Sequence, residues 1–409
     1  MKFGLESIAA LCEALDHPER AFRSIVIAGT NGKGSVTVMV ETALRAAGHR
    51  SARYTSPHLI RLEERFHILG REVSTSDLRG AVARVQDAVE SLQRSGALDA
   101  PPTFFECATA AAFELFRRRD VQIAVLEVGL GGRLDATNIV MPIAAAITSI
   151  DFDHQAQLGD TLEAIAREKA GVIKPGIPVV CGPLPPEADR AVLETSRERG
   201  ARMVRAAQIV RMAERGDGAV DVATDQRRLD DVTLALSGRH QRENAAVAVA
   251  LLDELARAGI AVPDDAVRAG LCRAVWPGRL ERLRVDGTDI LLDAAHNPAG
   301  ARALAAYLVE IGWTDVTLVF GALRDKDVRR MLELLTPLCA TIVCTTAPTP
   351  RAFGAEELAV VATEVAGGRA LVEAVGDPAA ALTRARRGRG PVVAAGSIFL
   401  IGSLRAILR

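Results

Sequence analysis

The chain has 409 residues, 49% apolar and 25% charged, with 50 Lys and Arg against 51 Asp and Glu for a net charge of −1. That length supports two or three domains with a sizeable core, and the balanced charge gives no electrostatic reason to expect nucleic acid or a membrane surface as partner. Six cysteines without a C-x-x-C pair, the closest being Cys339 and Cys344, argue against a disulfide framework or zinc site. With no signal peptide and no charge-free apolar run of membrane-spanning length, a reducing cytoplasm is expected.

Apolar β-rich runs alternate with helical patterns from the start. Residues 24–29, SIVIAG, read as a buried strand, and 34–48 as the helix that follows, closed by Gly48. Residues 76–93 set Leu78, Val82, Val85, Val89 and Leu92 on one helical face. Residues 104–119 form another helix, with three arginines at the end where the helix dipole favours them. Strands follow at 121–129 and 142–150. The helix predicted over 160–173 opens on Asp160 with Glu163 three residues on, a capping pattern, and 177–182 is a further strand. A second series begins after WPGRLE (276–281), with strands at 289–296, 316–323, 340–346 and 390–397. Strands alternating with helices predict mainly parallel sheets covered on both faces. The fold class is α/β in two parts, 1–280 and a smaller 281–409, with Trp276, Pro277 and Gly278 at the joint.

The stretch IAGTNGKGSVTV (27–38) departs from the common phosphate loop G-x-x-x-x-G-K-[ST]. Gly29 stands only three positions before Gly32, and Gly34 separates Lys33 from Ser35. Its setting, strand then glycine-rich turn then helix, still suits a phosphate cradle: backbone N–H groups can approach oxygens closely, and the helix N-terminus adds positive charge. A tight strand–helix turn is the plainer explanation. Glu127 ends an apolar strand, His154 follows the next one, and Ser56 follows ARYT. In a parallel sheet the C-terminal strand ends share one edge, where ligands bind. Lys33, Ser35, Ser56, Glu127 and His154 can therefore converge, and hydroxyl, carboxylate and imidazole together suit Mg²⁺ or Mn²⁺. Taken singly, Glu127 reads as a salt-bridge partner and His154 as a structural histidine.

With these residues in view, the chain resembles a known family. GTNGKGS, YTSPHL, FFE, EVGLGGRLDATN, LGDTLEAIAREKAG after Asp153 and His154, HQRENAA, WPGRLE and DAAHNP occur in the order expected of the folylpolyglutamate synthase/dihydrofolate synthase family, within the Mur ligase superfamily. The resemblance spans about residues 20–400. It implies an N-terminal P-loop ATPase-like domain and a smaller, Rossmann-like C-terminal domain that binds glutamate. It also implies ATP-dependent amide synthesis: a substrate carboxylate attacks the γ-phosphorus, and the acyl phosphate is taken by the amine of L-glutamate. Closure of two lobes would shield that acyl phosphate from water.

The resemblance carries residues over motif by motif. Gly29, Thr30, Asn31, Gly32, Lys33, Gly34 and Ser35 resemble the ATP loop. Asn244, Arg279 and Asp293 resemble further ATP contacts. Ser35, Ser56, Glu127 and His154 resemble ligands of Mg²⁺, at two sites. Thr103, Phe104, Phe105, Glu106, Leu134, Asp135 and Ala136 resemble the pterin pocket, although the phenylalanines also fit a helix start and Asp135 a turn cap. Lys169, fifteen residues after His154, resembles a carbamylated lysine; an exposed helix lysine after Glu168 is the alternative. Catalysis would fall to Lys33, Lys169 and His154. His296 would face the glutamate, with Asn297 capping the helix that starts at Pro298. Gln155 stands where the family often has threonine. The implied substrates are dihydropteroate, folates and L-glutamate, handled by a cytoplasmic monomer of folate and one-carbon metabolism.

Two other readings compete. Polyglutamation alone would need no dihydropteroate, and another Mur-type amide ligase is more remote. Cell-wall Mur ligases carry an extra N-terminal domain, for which some 25 residues ahead of the loop are too few. A nucleotide-binding regulator would leave Glu127, His154 and Lys169 without a common purpose.

Overall fold

The structure is a computed structural model describing residues 4–98, 100–216, 218–388 and 390–409. It divides into two compact units, one comprising 1–235 with 242–275 and the other 236–241 with 276–409.

The first unit is organised by eight strands: β1 (Arg23–Ala28), β2 (Ser51–Tyr54), β3 (Phe66–Ile68), β4 (Arg71–Glu72), β5 (Ile123–Glu127), β6 (Ala144–Ile147), β7 (Val179–Cys181) and β8 (Met203–Arg205). Their order is β4-β3-β2-β5-β1-β6-β7-β8. From β2 to β8 every pairing is parallel, and β3 and β4 add an antiparallel edge. β1 lies centrally, and its Ile25, Val26 and Ile27 are fully buried. Each such side chain stabilises the fold by roughly 1.5–3 kcal/mol. That is why this run is apolar without alternation: both faces of a parallel sheet are covered. Helices Glu6–Ala14, Thr75–Arg94 and Phe104–Arg118 bury Ile8, Leu11, Val85, Phe113 and Phe116 in one cluster with β2 and β5.

The helix expected over 160–173 is shorter, Leu162–Ala170, and its cap is Thr161 rather than Asp160. Thr161 Oγ1 accepts from Ala164 N at 3.1 Å, the bond that the first turn needs. The preceding residues form a separate short helix, Gln155–Leu158, with His154 at φ +52° before it.

The alternation of strand and helix did not reveal a three-stranded antiparallel sheet of β9 (Arg211–Glu214), β10 (Val220–Ala223) and β11 (Arg228–Val232), ordered β11-β10-β9. Its strands are short and polar, and only β10 buries alternate side chains well. Arg227 and Asp253, both buried, pair at 2.6 Å between this region and helix Arg239–Arg257.

In the second unit β12 (Glu281–Val285), β13 (Thr288–Leu292), β14 (Val316–Phe320), β15 (Cys339–Cys344), β16 (Leu371–Ala374) and β17 (Val392–Ala395) are ordered β12-β13-β17-β14-β15-β16. Only β12 runs antiparallel, paired to β13 through a tight turn at Asp286 and Gly287. Leu291, Leu318, Phe320, Ile342 and Val393 centre its core. All six cysteines are free.

Candidate active site

β2, β5, β1 and β6 are neighbours running the same way, so the residues after Tyr54, Glu127, Ala28 and Ile147 emerge at one edge. There the Gly29–Gly34 loop turns into helix Lys33–Ala46. Two of its glycines are dictated by space. Gly29 has φ +146°, and a Cβ there would meet Thr148 Oγ1 at 2.0 Å. Gly32 has φ +86°, and a Cβ would meet Asn244 Oδ1 at 2.3 Å. An L side chain fits neither conformation nor space.

The loop is fixed from β6. Thr30 N donates to Ser149 O at 2.8 Å, and Asn31 N to Ser149 Oγ at 3.0 Å. Thr148 Oγ1 and Ser149 Oγ both donate to Asn31 O, at 2.6 and 3.0 Å. Thr30 Oγ1 exchanges bonds with the backbone of Asp151 at 3.1 Å. These residues lie in the TSIDFDH segment, from which sequence reasoning took only His154. Two hydroxyl residues directly after a buried strand were the available signal.

Lys33 Nζ donates to Gly29 O at 3.0 Å and Thr30 O at 3.1 Å, folding back over its own loop. Lys169 Nζ donates to the same Gly29 carbonyl at 3.0 Å. Lys169 is thus not an exposed helix lysine: its side chain is buried, and the Glu168 carboxylate pairs instead with Arg133 at 2.8 Å. Burial first, and the Lys33 charge second, lower the Lys169 pKa to about 7, against the raising influence of Asp153 and Asp135.

Glu127 is buried at the end of β5, and its Oε2 accepts from Ser56 N at 3.1 Å. Ser35 is buried in the first turn of its helix. His154 is exposed, its Nε2 3.8 Å from Asp153 Oδ1. Among the described residues no three His, Cys, Asp or Glu side chains form a metal cluster. The donors expected for Mg²⁺ include only two such side chains, Glu127 and His154, alongside two serines. That donor set fits an ion that keeps waters and substrate phosphates in its shell.

The residues expected around a pterin lie nearby in the same unit. Thr103 caps helix Phe104–Arg118, and Glu106 Oε2 accepts from both Thr103 N and Oγ1 at 2.7 Å, so the polar atoms of this pair are engaged at the helix start. Phe104 is 59% exposed, with the Arg65 guanidinium 5.3 Å over its ring. Phe105 packs on Tyr54 at 6.0 Å and on Gly129, where a Cβ would fall 2.6 Å from the ring. Leu134 is half-buried and Ala136 buried. Asp135 is buried and takes four bonds: Oδ2 from Gly129 N and Leu130 N, both at 2.9 Å, and Oδ1 from Thr137 N at 3.0 Å and Thr137 Oγ1 at 2.6 Å. Burial raises its pKa, and these bonds oppose the rise. Its carboxylate therefore organises the 129–137 loop.

In the second unit, buried Asp293 accepts from Leu280 N at 2.8 Å and Ala295 N at 2.9 Å. Burial raises its pKa, against the lowering influence of Arg279 and His240. His296 Nδ1 lies 2.9 Å from Ala294 O, and Asn297 caps helix Pro298–Glu310 by accepting from Gly300 N at 2.8 Å.

Comparison with known proteins agrees across the chain. Residues 27–252 match the Mur ligase middle domain, and 278–398 the Mur ligase glutamate ligase domain. A Bacillus subtilis dihydrofolate synthase/folylpolyglutamate synthase is 35% identical over 88% of this chain and 84% of its own length. A Lacticaseibacillus casei folylpolyglutamate synthase is 37% identical over 85% and 82%. Three solved structures are similar: Mycobacterium tuberculosis folylpolyglutamate synthase with ADP (TM-score 0.92, 34% identity, covering 99% of this chain and 94% of that one), Escherichia coli FolC with DHPP and ADP (0.88, 30%, 100% and 93%), and the Yersinia pestis bifunctional enzyme with AMPPNP and Mn ion (0.87, 32%, 100% and 94%).

Proposed function

This chain belongs to the dihydrofolate synthase/folylpolyglutamate synthase family of the Mur ligases, and from that premise we propose that it is an ATP-dependent ligase. It joins L-glutamate to the carboxylate of dihydropteroate, forming dihydrofolate, and to folates, extending their glutamate chain. The observation that carries this reading is the meeting of Lys33 and Lys169 on the Gly29 carbonyl, at the strand edge that also presents Glu127.

The chemistry asks for that arrangement. A carboxylate oxygen forms a bond to the γ-phosphorus as ADP leaves. The glutamate amine then bonds to the acyl carbon, phosphate departs, and the nitrogen gives up a proton. Two anions must first approach each other. Loop N–H groups at the helix N-terminus and the Lys33 ammonium offset the repulsion, and they gain most as charge develops on the transferring phosphoryl group. When bound, Mg²⁺, held by Ser35, Ser56, Glu127 and His154, would neutralise phosphate charge. The nucleotide and Mn ion in the Yersinia pestis structure support a divalent ion as the companion of the nucleotide. Phe104 and Phe105 offer faces to the pterin, and Asp135 holds the loop whose Gly129 packs on Phe105. Asn244, whose Oδ1 lies against Gly32 of the loop, serves ATP, and in the second unit His296 faces glutamate.

Lys169 is suited to carbamylation. The neutral amine nitrogen bonds to the carbon of CO₂ and releases a proton, leaving a carboxylate-like anion whose charge lies on the two oxygens of the added group. A pKa near 7 keeps a large share of the side chain neutral at physiological pH, where an ordinary lysine would be almost wholly charged.

The deciding assay supplies dihydropteroate, ATP, Mg²⁺ and L-glutamate. Dihydrofolate should form, with ADP and phosphate released in equal amounts, one of each per glutamate added. Extension of folates without dihydropteroate-dependent ADP leaves only the polyglutamating activity, the one named for the Lacticaseibacillus casei relative. Failure of both substrates ends the ligase reading.

A further inference from the structure

Arg65 is a charge that the proposed chemistry has not used. Only 7% of the residue is exposed, yet among the described residues no carboxylate pairs with it. A buried guanidinium without an anion is costly, so its place needs another reason. The neighbouring acid is occupied elsewhere: the Glu64 carboxylate accepts from three successive backbone groups, Leu59 N at 2.7 Å, Ile60 N at 3.1 Å and Arg61 N at 2.9 Å. These bonds shape the 56–65 turn and leave Arg65 to neutral partners. Its Nε donates to His58 Nδ1 at 2.9 Å, which makes that imidazole nitrogen the acceptor. Its charge lies near the Tyr54 hydroxyl and restrains a burial-driven rise of that group's pKa to about 12. Its Cζ sits over the Phe104 ring, 5.3 Å from the centroid. Tyr54 in turn packs on Phe66 at 5.4 Å and Phe105 at 6.0 Å.

The two phenylalanines are therefore held differently. Phe105 is wedged between Tyr54 and Gly129, whereas Phe104 is largely open to solvent and has Arg65 over its ring. We propose that Arg65, anchored on His58, is a positioning residue that fixes the Phe104 ring for stacking of the pterin, and so sets selectivity for a flat heteroaromatic substrate. This rests on the reading that Phe104 lines the pterin site. Arginine suits the task because its plane stacks on a ring while its edge donates a hydrogen bond, and lysine cannot do both.

The test is steady-state kinetics on Arg65→Met, Arg65→Lys, Phe104→Leu and the double variant Arg65→Met with Phe104→Leu. Arg65→Met and Phe104→Leu should each raise KM for dihydropteroate about five- to tenfold, the scale of a desolvated cation–π contact. Arg65→Lys should raise it about threefold, and KM for ATP should stay within about twofold throughout. The double variant should be no worse than the poorer single one, because both changes remove the same ring placement. A pterin KM within about twofold of wild type in Arg65→Met, or effects that multiply in the double variant, would overturn the proposal. So would equal losses against ATP and pterin, which mark a general structural defect. If Arg65→Met does not fold, Arg65→Lys decides by the same criterion. A wild type that rejects dihydropteroate but extends a reduced folate refutes dihydrofolate synthesis, and the same series run on that folate decides the role of Arg65.

Discussion

The strand-end edges of the two units are built alike and furnished differently. Each is the C-terminal side of a mainly parallel sheet, where an open α/β fold places its ligand. In the first unit the edge holds charge under poor solvation: Lys169 and Glu127 are buried, and Lys33 is bent back over its own loop. In the second unit the buried Asp293 carboxylate and its polar neighbours are satisfied by the local backbone. Asp293 binds Leu280 N and Ala295 N, Asn297 caps its helix, and Ser397 accepts from Phe399 N at 3.2 Å. Charge kept in a low dielectric is expensive and points to reacting atoms. Polar groups satisfied by nearby N–H donors point to architecture that positions a ligand.

The contrast can be broken most forcefully at Lys33. Lys33→Ala should lower kcat/KM by at least about a thousandfold at saturating MgATP, the scale of a lost electrostatic group. The melting temperature should hardly move, since the side chain rests on loop carbonyls rather than in the core. Retained ligation would remove the phosphate loop from the mechanism. Next comes Glu127→Gln, which keeps the shape and removes the charge. Turnover should fall about 10- to 100-fold, with a higher Mg²⁺ requirement in a metal titration. An unchanged activation curve would mean that the buried acid serves only the Ser56 backbone.

Lys169 gives the comparison a pH axis. Its folded pKa of about 7 lies below the ordinary lysine value of 10.5. Between those values the unfolded chain binds more protons, so stability should rise with pH from about 7 to 10.5, and this slope should vanish in Lys169→Met. The free-amine fraction grows as pH climbs through about 7. At fixed bicarbonate, labelled carbamate should therefore increase from pH 6 to pH 8, observed by ¹³C resonance. A flat carbamate signal or identical stability slopes would return Lys169 to an ordinary structural role.

The smallest effects should come from groups that hold backbone. Asp135→Asn places an amide where a carboxylate oxygen now faces N–H donors. It should cost about 1–3 kcal/mol of stability and weaken dihydropteroate and folate use alike. A selective loss of dihydropteroate use with no change in melting would instead put Asp135 against the pterin. Asn297→Ala should cost about 1 kcal/mol, read as a drop of a few degrees in melting, with KM for ATP unchanged.

The sequence alone determined the alternation of apolar runs and amphipathic helices, and with it the α/β class, because a parallel sheet covered on both faces needs runs such as SIVIA. It also marked the glycine-rich turn between β1 and the helix that follows, since the positive φ and close approaches at Gly29 and Gly32 leave glycine as the fitting residue. The sheet of β9–β11 stayed hidden because short polar strands carry little periodic signal, and Thr161 displaced Asp160 because either can start a helix until the backbone chooses. Only the tertiary structure decided that Lys169 is buried on the Gly29 carbonyl, that Asp135 holds its own loop, and that Arg65 stands over Phe104. Burial, dielectric and hydrogen-bond partners belong to packing between segments far apart in the chain, and no local pattern encodes them.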